Sequence, residues 1–418
     1  MQHIIIGAGP AGVVAAETLR KADASAKITI IGDEPEAPYS RMAIPYYLIG
    51  NIEESGSHLR DTAVHFDNQD IELIQQRVEK VDPSAHQVTL ADGSTMNYDK
   101  LLIASGSNPV NPPISGLDLP QVHSCWTLED SRAIISLAQP GSNVVLIGAG
   151  FIGCIILEAL VRRGVNLSVI ETGNRMVPRM LNEKAGGLIK TWCINKGIDV
   201  HTSCSVQSVH SIDNDQVQVN LSDGSELPAA LVITATGVKP NTAMIEGIGI
   251  DTDMGILVNR SLQTNVEDIY AAGDVAQGVD FSTGNFEVQA IQPTATDHGR
   301  IAAMNMSGQA IVTQGNLNMN VLDTIGLISC SFGLWMGVEG GDQSELYNEE
   351  EFQYLNLQFD GNILVGASSV GKTQHVGVLR GLIESKIDLT TWKDRLMKDP
   401  TLMMDAYIGC TQELSYVR

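Results

Sequence analysis

His3-Ile4-Ile5-Ile6-Gly7-Ala8-Gly9-Pro10-Ala11-Gly12 opens the chain as an apolar run that breaks into G-x-G-x-x-G and continues into an alanine-rich stretch. The run suits a buried strand, and Val13 to Lys21 has the composition of a helix. A strand, a glycine turn and a helix in that order receive a dinucleotide pyrophosphate. Gly7 makes the tight turn, Gly9 lets the backbone approach the phosphates, and Gly12 lets the helix pack close to the strand. The first helical turn begins at Pro10, and its free N–H groups, from Ala11 onward, then face the anion. A second strand, Ile28-Thr29-Ile30-Ile31, closes on Asp33 and Glu34, where a ribose hydroxyl needs its acceptor. Gly32 holds the usual first position, which leaves the choice between the two carboxylates open.

The same pattern recurs at Asn143-Val144-Val145-Leu146-Ile147-Gly148-Ala149-Gly150-Phe151-Ile152-Gly153, 141 residues after the first. Two copies in register argue for two dinucleotides. The following strand, Asn166 to Ile170, ends in Glu171, 18 residues after Gly153. A carboxylate there accepts from an adenosine 2′-hydroxyl and repels a 2′-phosphate, so NADH is favoured over NADPH. Arg175 and Arg179 lie close by and weigh the other way.

A chain of 418 residues is too long for one core and implies about two or three domains. Forty glycines and 43% apolar residues suit an α/β protein with many tight strand-to-helix turns. The opening strand carries no basic n-region or cleavage site, so a cytoplasmic location is expected. Val144 to Val161 is apolar but contains fingerprint glycines and Glu158, which argues against a membrane span. The six cysteines include no C-x-x-C pair and no cluster at metal spacing, so buried free thiols and no metal are expected. A net charge of −23 repels nucleic acid and anionic membranes.

After the second strand comes Pro38-Tyr39-Ser40-Arg41-Met42-Ala43-Ile44-Pro45-Tyr46-Tyr47. Ala104-Ser105-Gly106-Ser107-Asn108-Pro109 and Ala235-Thr236-Gly237-Val238-Lys239-Pro240 are similar to each other. Thr264-Asn265-Val266-Glu267-Asp268-Ile269-Tyr270-Ala271-Ala272-Gly273-Asp274-Val275 is a long further motif. On these stretches the chain resembles the two-dinucleotide-domain flavoproteins, the pyridine nucleotide-disulfide oxidoreductase superfamily, in its rubredoxin and ferredoxin reductase and nitrite-reductase flavoprotein branch.

The resemblance implies an α/β fold with two Rossmann-like dinucleotide-binding domains. A split FAD domain (1–109 and 241–317) encloses an inserted NAD domain (110–240), and a small α+β C-terminal domain follows (318–418). Ala104, Ser105, Gly106 and Gly237 would mark the crossings between domains. Gly273 and Asp274 would meet the FAD ribityl chain, with an adjoining helix N-terminus toward the pyrophosphate. Pro293 and Thr294 would start a helix aimed at the flavin ring, and Arg41 would contact the FAD diphosphate.

Two departures stand out against that family. Met42 occupies the place of a redox cysteine found in one branch, and a thioether cannot cycle through a thiolate. Tyr46 and Ile155 occupy the places of a lysine and a glutamate that pair in the other branch, which implies a more apolar floor beneath the flavin. Residues from Asn320 form a meander, with Leu322 to Ile328 as one run, a hairpin turn at Asp360-Gly361-Asn362, and a closing helix from Val376 to Ser385. Gly371-Lys372-Thr373 fits the family's C-terminal stretch better than a phosphate loop.

The function implied is an FAD-dependent NADH:acceptor oxidoreductase that needs no catalytic side chain, because the cofactor carries the chemistry. The acceptor would be a small iron-protein carrier such as rubredoxin or ferredoxin, or an associated reductase module. An acidic carrier would need a basic patch, for which Arg162, Arg163, Arg175 and Arg179 are the candidates. The alternatives are a diaphorase-like NADH oxidase without a protein partner, or a non-turnover FAD- and NADH-binding flavoprotein. One branch of the family would imply a homodimer and the other a monomer.

Overall fold

The first fingerprint joins strand Gln2–Ile6 to helix Pro10–Ala22. The structure is a computed structural model that describes residues 1–60, 64–213 and 215–416, with side chains through Thr411. Gln2–Ile6 is the central strand of a five-stranded sheet, ordered Ile269–Ala271, Lys100–Ile103, Gln2–Ile6, Lys27–Gly32, Ile71–Gln75. All its pairings are parallel, with Ile5 between Leu102 and Ile30. A parallel strand covered on both faces has no solvent side, which is why the isoleucines run without polar alternation. Helix Gln292–Met306 crosses Pro10–Ala22 so closely that a Cβ on Gly299 would lie 2.3 Å from the Ala11 carbonyl oxygen.

The second fingerprint builds a second five-stranded parallel sheet: Asp199–Thr202, Asn166–Glu171, Asn143–Ile147, Leu231–Thr234, Val122–Ser124. The stretch from Val144 to Val161 is thereby split between a strand and helix Phe151–Arg162. No helix among the described residues is long and apolar enough to cross a membrane. Between the sheets the chain crosses twice, and Ser107–Pro109 pairs antiparallel with Val238–Pro240. The crossings are also stitched by side chains: Ser105 Oγ donates to the Asn241 carbonyl at 2.8 Å, and Asn241 Nδ2 donates to the Ser105 carbonyl at 2.9 Å.

The C-terminal part is a five-stranded antiparallel sheet backed by helices Val376–Ser385, Lys393–Lys398 and Met403–Tyr416. The expected turn lies between Gln353–Asp360 and Ile363–Val370. The run from Leu322 to Ile328 is not one strand. Ile325 and Gly326 take φ values of 52° and 82° and turn Met319–Thr324 back onto Leu327–Gly333. Gly366 sits within strand Ile363–Val370, so Gly371-Lys372-Thr373 lacks the loop geometry of a phosphate cradle.

His3 is 1% exposed beneath the first sheet, and burial with the nearby N-terminus lowers its pKa to about 4, against the pull of Asp99 and Asp23. The unfolded chain binds this proton below about pH 6.5 and the folded protein does not, so stability falls as pH drops from 6.5 toward 4. His3→Leu is expected to flatten that part of a thermal-midpoint-against-pH curve. An unchanged slope would refute the assignment.

Candidate active site: a cleft shared by both fingerprints

Each glycine of the first fingerprint has a distinct steric environment. A Cβ on Gly7 would lie 2.1 Å from the Ala104 carbonyl oxygen, and one on Gly12 would lie 2.0 Å from that of Gly7. These positions bring strand, crossing and helix into backbone contact. A Cβ on Gly9 would meet no protein atom within 4 Å. That open space faces a cleft of about 830 Å³, lined by Gly7, Gly9, Pro10 and Ala11, by Ala104, Ser105 and Gly106, and by Gly273 and Asp274.

The two carboxylates that follow the second strand line the cleft in different states. Glu34 accepts from the Tyr39 hydroxyl at 2.6 Å and from Arg41 Nη2 at 2.7 Å, so each of its oxygens is engaged. Asp33 is exposed, lines the cleft and has no hydrogen-bond partner among the described residues. Arg41 donates to the Trp126 carbonyl at 2.5 Å, and its guanidinium carbon lies 5.0 Å from the Trp126 ring centroid. Asp274 accepts from Ser107 Oγ at 3.0 Å through one oxygen, and burial raises its carboxyl pKa against the pull of that bond.

No α-helix follows Asp274 in the chain; the helices packed against its turn are Gln292–Met306 and Pro10–Ala22, through Ala295 and Ala11. Gly273–Val275 is a single 3-10 turn that runs into strand Ala276–Val279, because Ala276 has already returned to extended backbone to pair with Ile256. The helix end at the cleft is instead that of Gln292–Met306, which presents Gln292 and Ala295, with Pro293 in its first turn. Thr294 is 4% exposed and packs inward. Gly237 takes φ +117° as a turn residue behind the cleft wall.

The floor is apolar. Met42, Ile44 and Pro45 from the first unit meet Phe151, Ile152 and Ile155 from the second fingerprint helix. Tyr46 is not part of it: the side chain is 56% exposed and points away, because helix Ile44–Leu48 buries Ile44 and Leu48 instead. The expected apolar floor is present, but Tyr46 and Ile155 are not its facing pair.

The second fingerprint repeats the steric pattern. Cβ atoms on Gly148 and Gly153 would lie 2.5 Å from the Ala235 carbonyl oxygen and 2.1 Å from that of Gly148, while one on Gly150 would meet nothing within 4 Å. Glu171, 8% exposed, accepts from the Ala149 N–H at 2.8 Å and the Gly173 N–H at 2.6 Å. It therefore braces the glycine loop through both of its oxygens. The proposed basic patch does not form. Arg162 pairs with Glu158, Arg175 donates to the carbonyls of Leu181 and Pro178, and Arg163 is turned inward; Arg179 alone of the four is exposed without such a tie.

All six cysteines are buried, and none is joined in a disulfide among the described residues. Burial pushes the thiols of Cys125, Cys193 and Cys330 up to about 12. A buried neutral thiol is neither nucleophile nor redox group. The native protein is expected to react with less than about one equivalent of a thiol reagent within minutes, and the denatured protein with all six. A fast-reacting native thiol would reopen disulfide chemistry. His298 is likewise buried, its pKa lowered by desolvation, with Nε2 on Asn316.

Two residues at the cleft escaped the sequence reading. Ser107 stands in the first crossing motif at a variable position, where only its contact with Asp274 reveals it. Trp126 precedes the capping box of helix Leu128–Leu137 and donates Nε1–H to the Ser107 carbonyl at 2.9 Å. No local pattern marks it.

The family described as pyridine nucleotide-disulphide oxidoreductase matches residues 1–299. The NADH-dependent phenylglyoxylate dehydrogenase subunit epsilon of Aromatoleum evansii is 30% identical over 403 residues, covering 96% of this chain and 95% of that one. Rhodocoxin reductase of Rhodococcus erythropolis is 32% identical over 311 residues, 74% of this chain and 72% of that one. Among solved structures, an NAD-dependent persulfide reductase from A. fulgidus superposes with a TM-score of 0.86 at 27% identity, over 94% of this chain and 79% of that one. The open space at Gly9, the unpartnered Asp33 and the half-engaged Asp274 fit FAD, and the second fingerprint fits NAD(H). With both fingerprints on one cleft, the chain belongs to the pyridine nucleotide-disulphide oxidoreductase family and is an FAD-dependent NAD(P)H oxidoreductase.

Proposed function

We propose that this chain takes electrons from NADH through FAD and delivers them to an iron-protein partner held as a neighbouring subunit. The carrying observation is that Phe151 and Ile152, from the second fingerprint, line the same cleft as Gly9 and Asp274. A nicotinamide seated on the second loop is thereby directed at a flavin seated on the first.

In this reading residues 1–109 and 241–317 hold FAD, 110–240 hold NADH, and 318–418 close the assembly. Asp33 accepts from the FAD ribose, while Glu34 orients Arg41 beside the diphosphate. Asp274 accepts from the ribityl chain, with Ser107 holding its other oxygen. Glu171, both oxygens of which hold the glycine loop, favours NADH because its negative charge repels a 2′-phosphate. The floor of Met42, Pro45 and Ile155 excludes water from the hydride path. The flavin supplies two-electron acceptance and onward transfer, so no acid, base or nucleophile is required of the protein.

The preference for a held partner over a diffusing acidic carrier rests on charge. A net charge of −23, with two of the four candidate arginines tied to backbone carbonyls and a third paired with Glu158, weakens electrostatic steering of an acidic protein. A relative matched almost end to end is itself a subunit.

Anaerobic titration tests the reading. NADH is expected to bleach the flavin at stoichiometric amounts, with NADPH at least about tenfold weaker. Equal response to both would remove Glu171 as selector. Carrier reduction that accelerates steeply as salt is lowered would favour a diffusing, electrostatically steered partner instead.

A further inference from the structure

Arg163 is the one arginine of the expected docking patch that bridges structural units. It follows helix Phe151–Arg162 and turns its side chain away from solvent. Nη1 donates to the Leu48 carbonyl at 2.7 Å, Nη2 to that of Ile135 at 2.7 Å, and Nε to that of Ala138 at 3.0 Å. Leu48 ends the short helix Ile44–Leu48, and Ile135 and Ala138 end helix Leu128–Leu137. The last carbonyls of a helix have no partner within it, so one planar guanidinium satisfies two helix ends at once. No carboxylate pairs with Arg163 among the described residues.

The opposite ends of two of these elements form the cleft floor. Ile44 and Pro45 stand at the start of Ile44–Leu48, and Phe151, Ile152 and Ile155 at the start of Phe151–Arg162. Between them Ile44, Leu48, Ile156 and Leu160 belong to one buried cluster, so a shift at one end is transmitted as a rigid displacement. A helix of 12 residues spans about 18 Å, which places Arg163 far from any reacting atom.

We propose that Arg163 is a positioning residue for hydride transfer: it bolts the helix that begins at the second fingerprint to the short helix Ile44–Leu48 across the cleft floor and so sets the donor–acceptor distance. This rests on the NADH-to-FAD reading above. It makes no contact with either cofactor, and its effect appears in the rate of transfer within the bound complex. A misplacement of about 1 Å costs on the order of 10²-fold in rate.

Rapid-mixing reduction by NADH, without oxygen, on Arg163→Met and Arg163→Lys provides the test, alongside flavin content and thermal midpoint. Arg163→Met is expected to lower the limiting bleaching rate about 10- to 100-fold while the NADH dissociation constant stays within about threefold. Arg163→Lys, which retains a donor, is expected to recover part of that rate. A purely structural role would lower the thermal midpoint and leave the rate per bound flavin unchanged, and this outcome overturns the proposal. So does a loss confined to NADH affinity. Should Arg163→Met fail to fold, Arg163→Lys decides alone: a limiting rate equal to the wild type refutes positioning. A wild-type protein that NADH does not bleach refutes the underlying reading and this inference together.

Discussion

Gly150→Val is expected to yield a folded, yellow protein that dithionite reduces and NADH does not. Gly150 has φ −74° and ψ −169°, extended backbone that valine adopts without strain, and its Cβ would touch no protein atom within 4 Å. The fold therefore has no reason to object. The pyrophosphate does, since the added branch fills the space through which it reaches the loop N–H groups. Losing about two charge-assisted hydrogen bonds at about 1.5–3 kcal/mol each weakens NADH by at least about 100-fold. Gly153→Val serves as the contrast: its Cβ would sit 2.1 Å from the Gly148 carbonyl oxygen, so it is expected to destabilise the protein itself. Anaerobic NADH titration, flavin content and thermal midpoint on both variants separate ligand space from packing space. Normal bleaching in Gly150→Val would place the dinucleotide elsewhere.

Asp274→Ala is expected to strip the protein of FAD while leaving the cofactor-free fold as stable as before, or more so. The carboxyl is half-buried, desolvation raises its pKa against the pull of Ser107 and Arg41, and among the described residues the Ser107 hydroxyl donates to it. A raised folded-state pKa means that the ionised group opposes folding above that pKa and ceases to do so as pH falls below the unfolded value. Removing it relieves the cofactor-free protein at neutral pH. The same charge gains its full partner only when a ribityl hydroxyl arrives, at about 1.5–3 kcal/mol, or roughly 10- to 150-fold in FAD affinity. Ser107→Ala should weaken FAD by a smaller factor. Flavin content after gel filtration and the thermal midpoint of the cofactor-free forms check both signs. An Asp274→Ala protein that keeps its flavin would end the role assigned to Asp274.

Much of this molecule is local and hence legible. A glycine that must take positive φ, a strand that must be apolar on both faces and a turn that must hold Gly361 are each specified within a few residues. The departure at Met42 is local too, and the uniform burial of the cysteines agrees with the loss of thiol chemistry that it implies. Misreadings arose where packing sets a side chain's direction or its choice of partner. Tyr46 was placed on the floor because its neighbours are, yet a helix turn rotates it to solvent. The arginines at 162, 163 and 175 read as a surface patch because charge implies exposure, but their acceptors are an adjacent helix turn, distant carbonyls and a loop.

From sequence alone came the two dinucleotide loops, their order, the family and the kind of chemistry, because backbone sterics and strand burial leave marks at fixed short spacing. Only the tertiary structure decided that Glu34 is engaged by Tyr39 and Arg41, that Ser107 and Trp126 line the cleft, and that Arg163 ties two helix ends. Some of those partners lie only a few residues away, as Tyr39 and Arg41 do from Glu34, and others more than a hundred, as Ser107 does from Asp274 and Leu48 from Arg163; in each case packing selects which donor and acceptor meet.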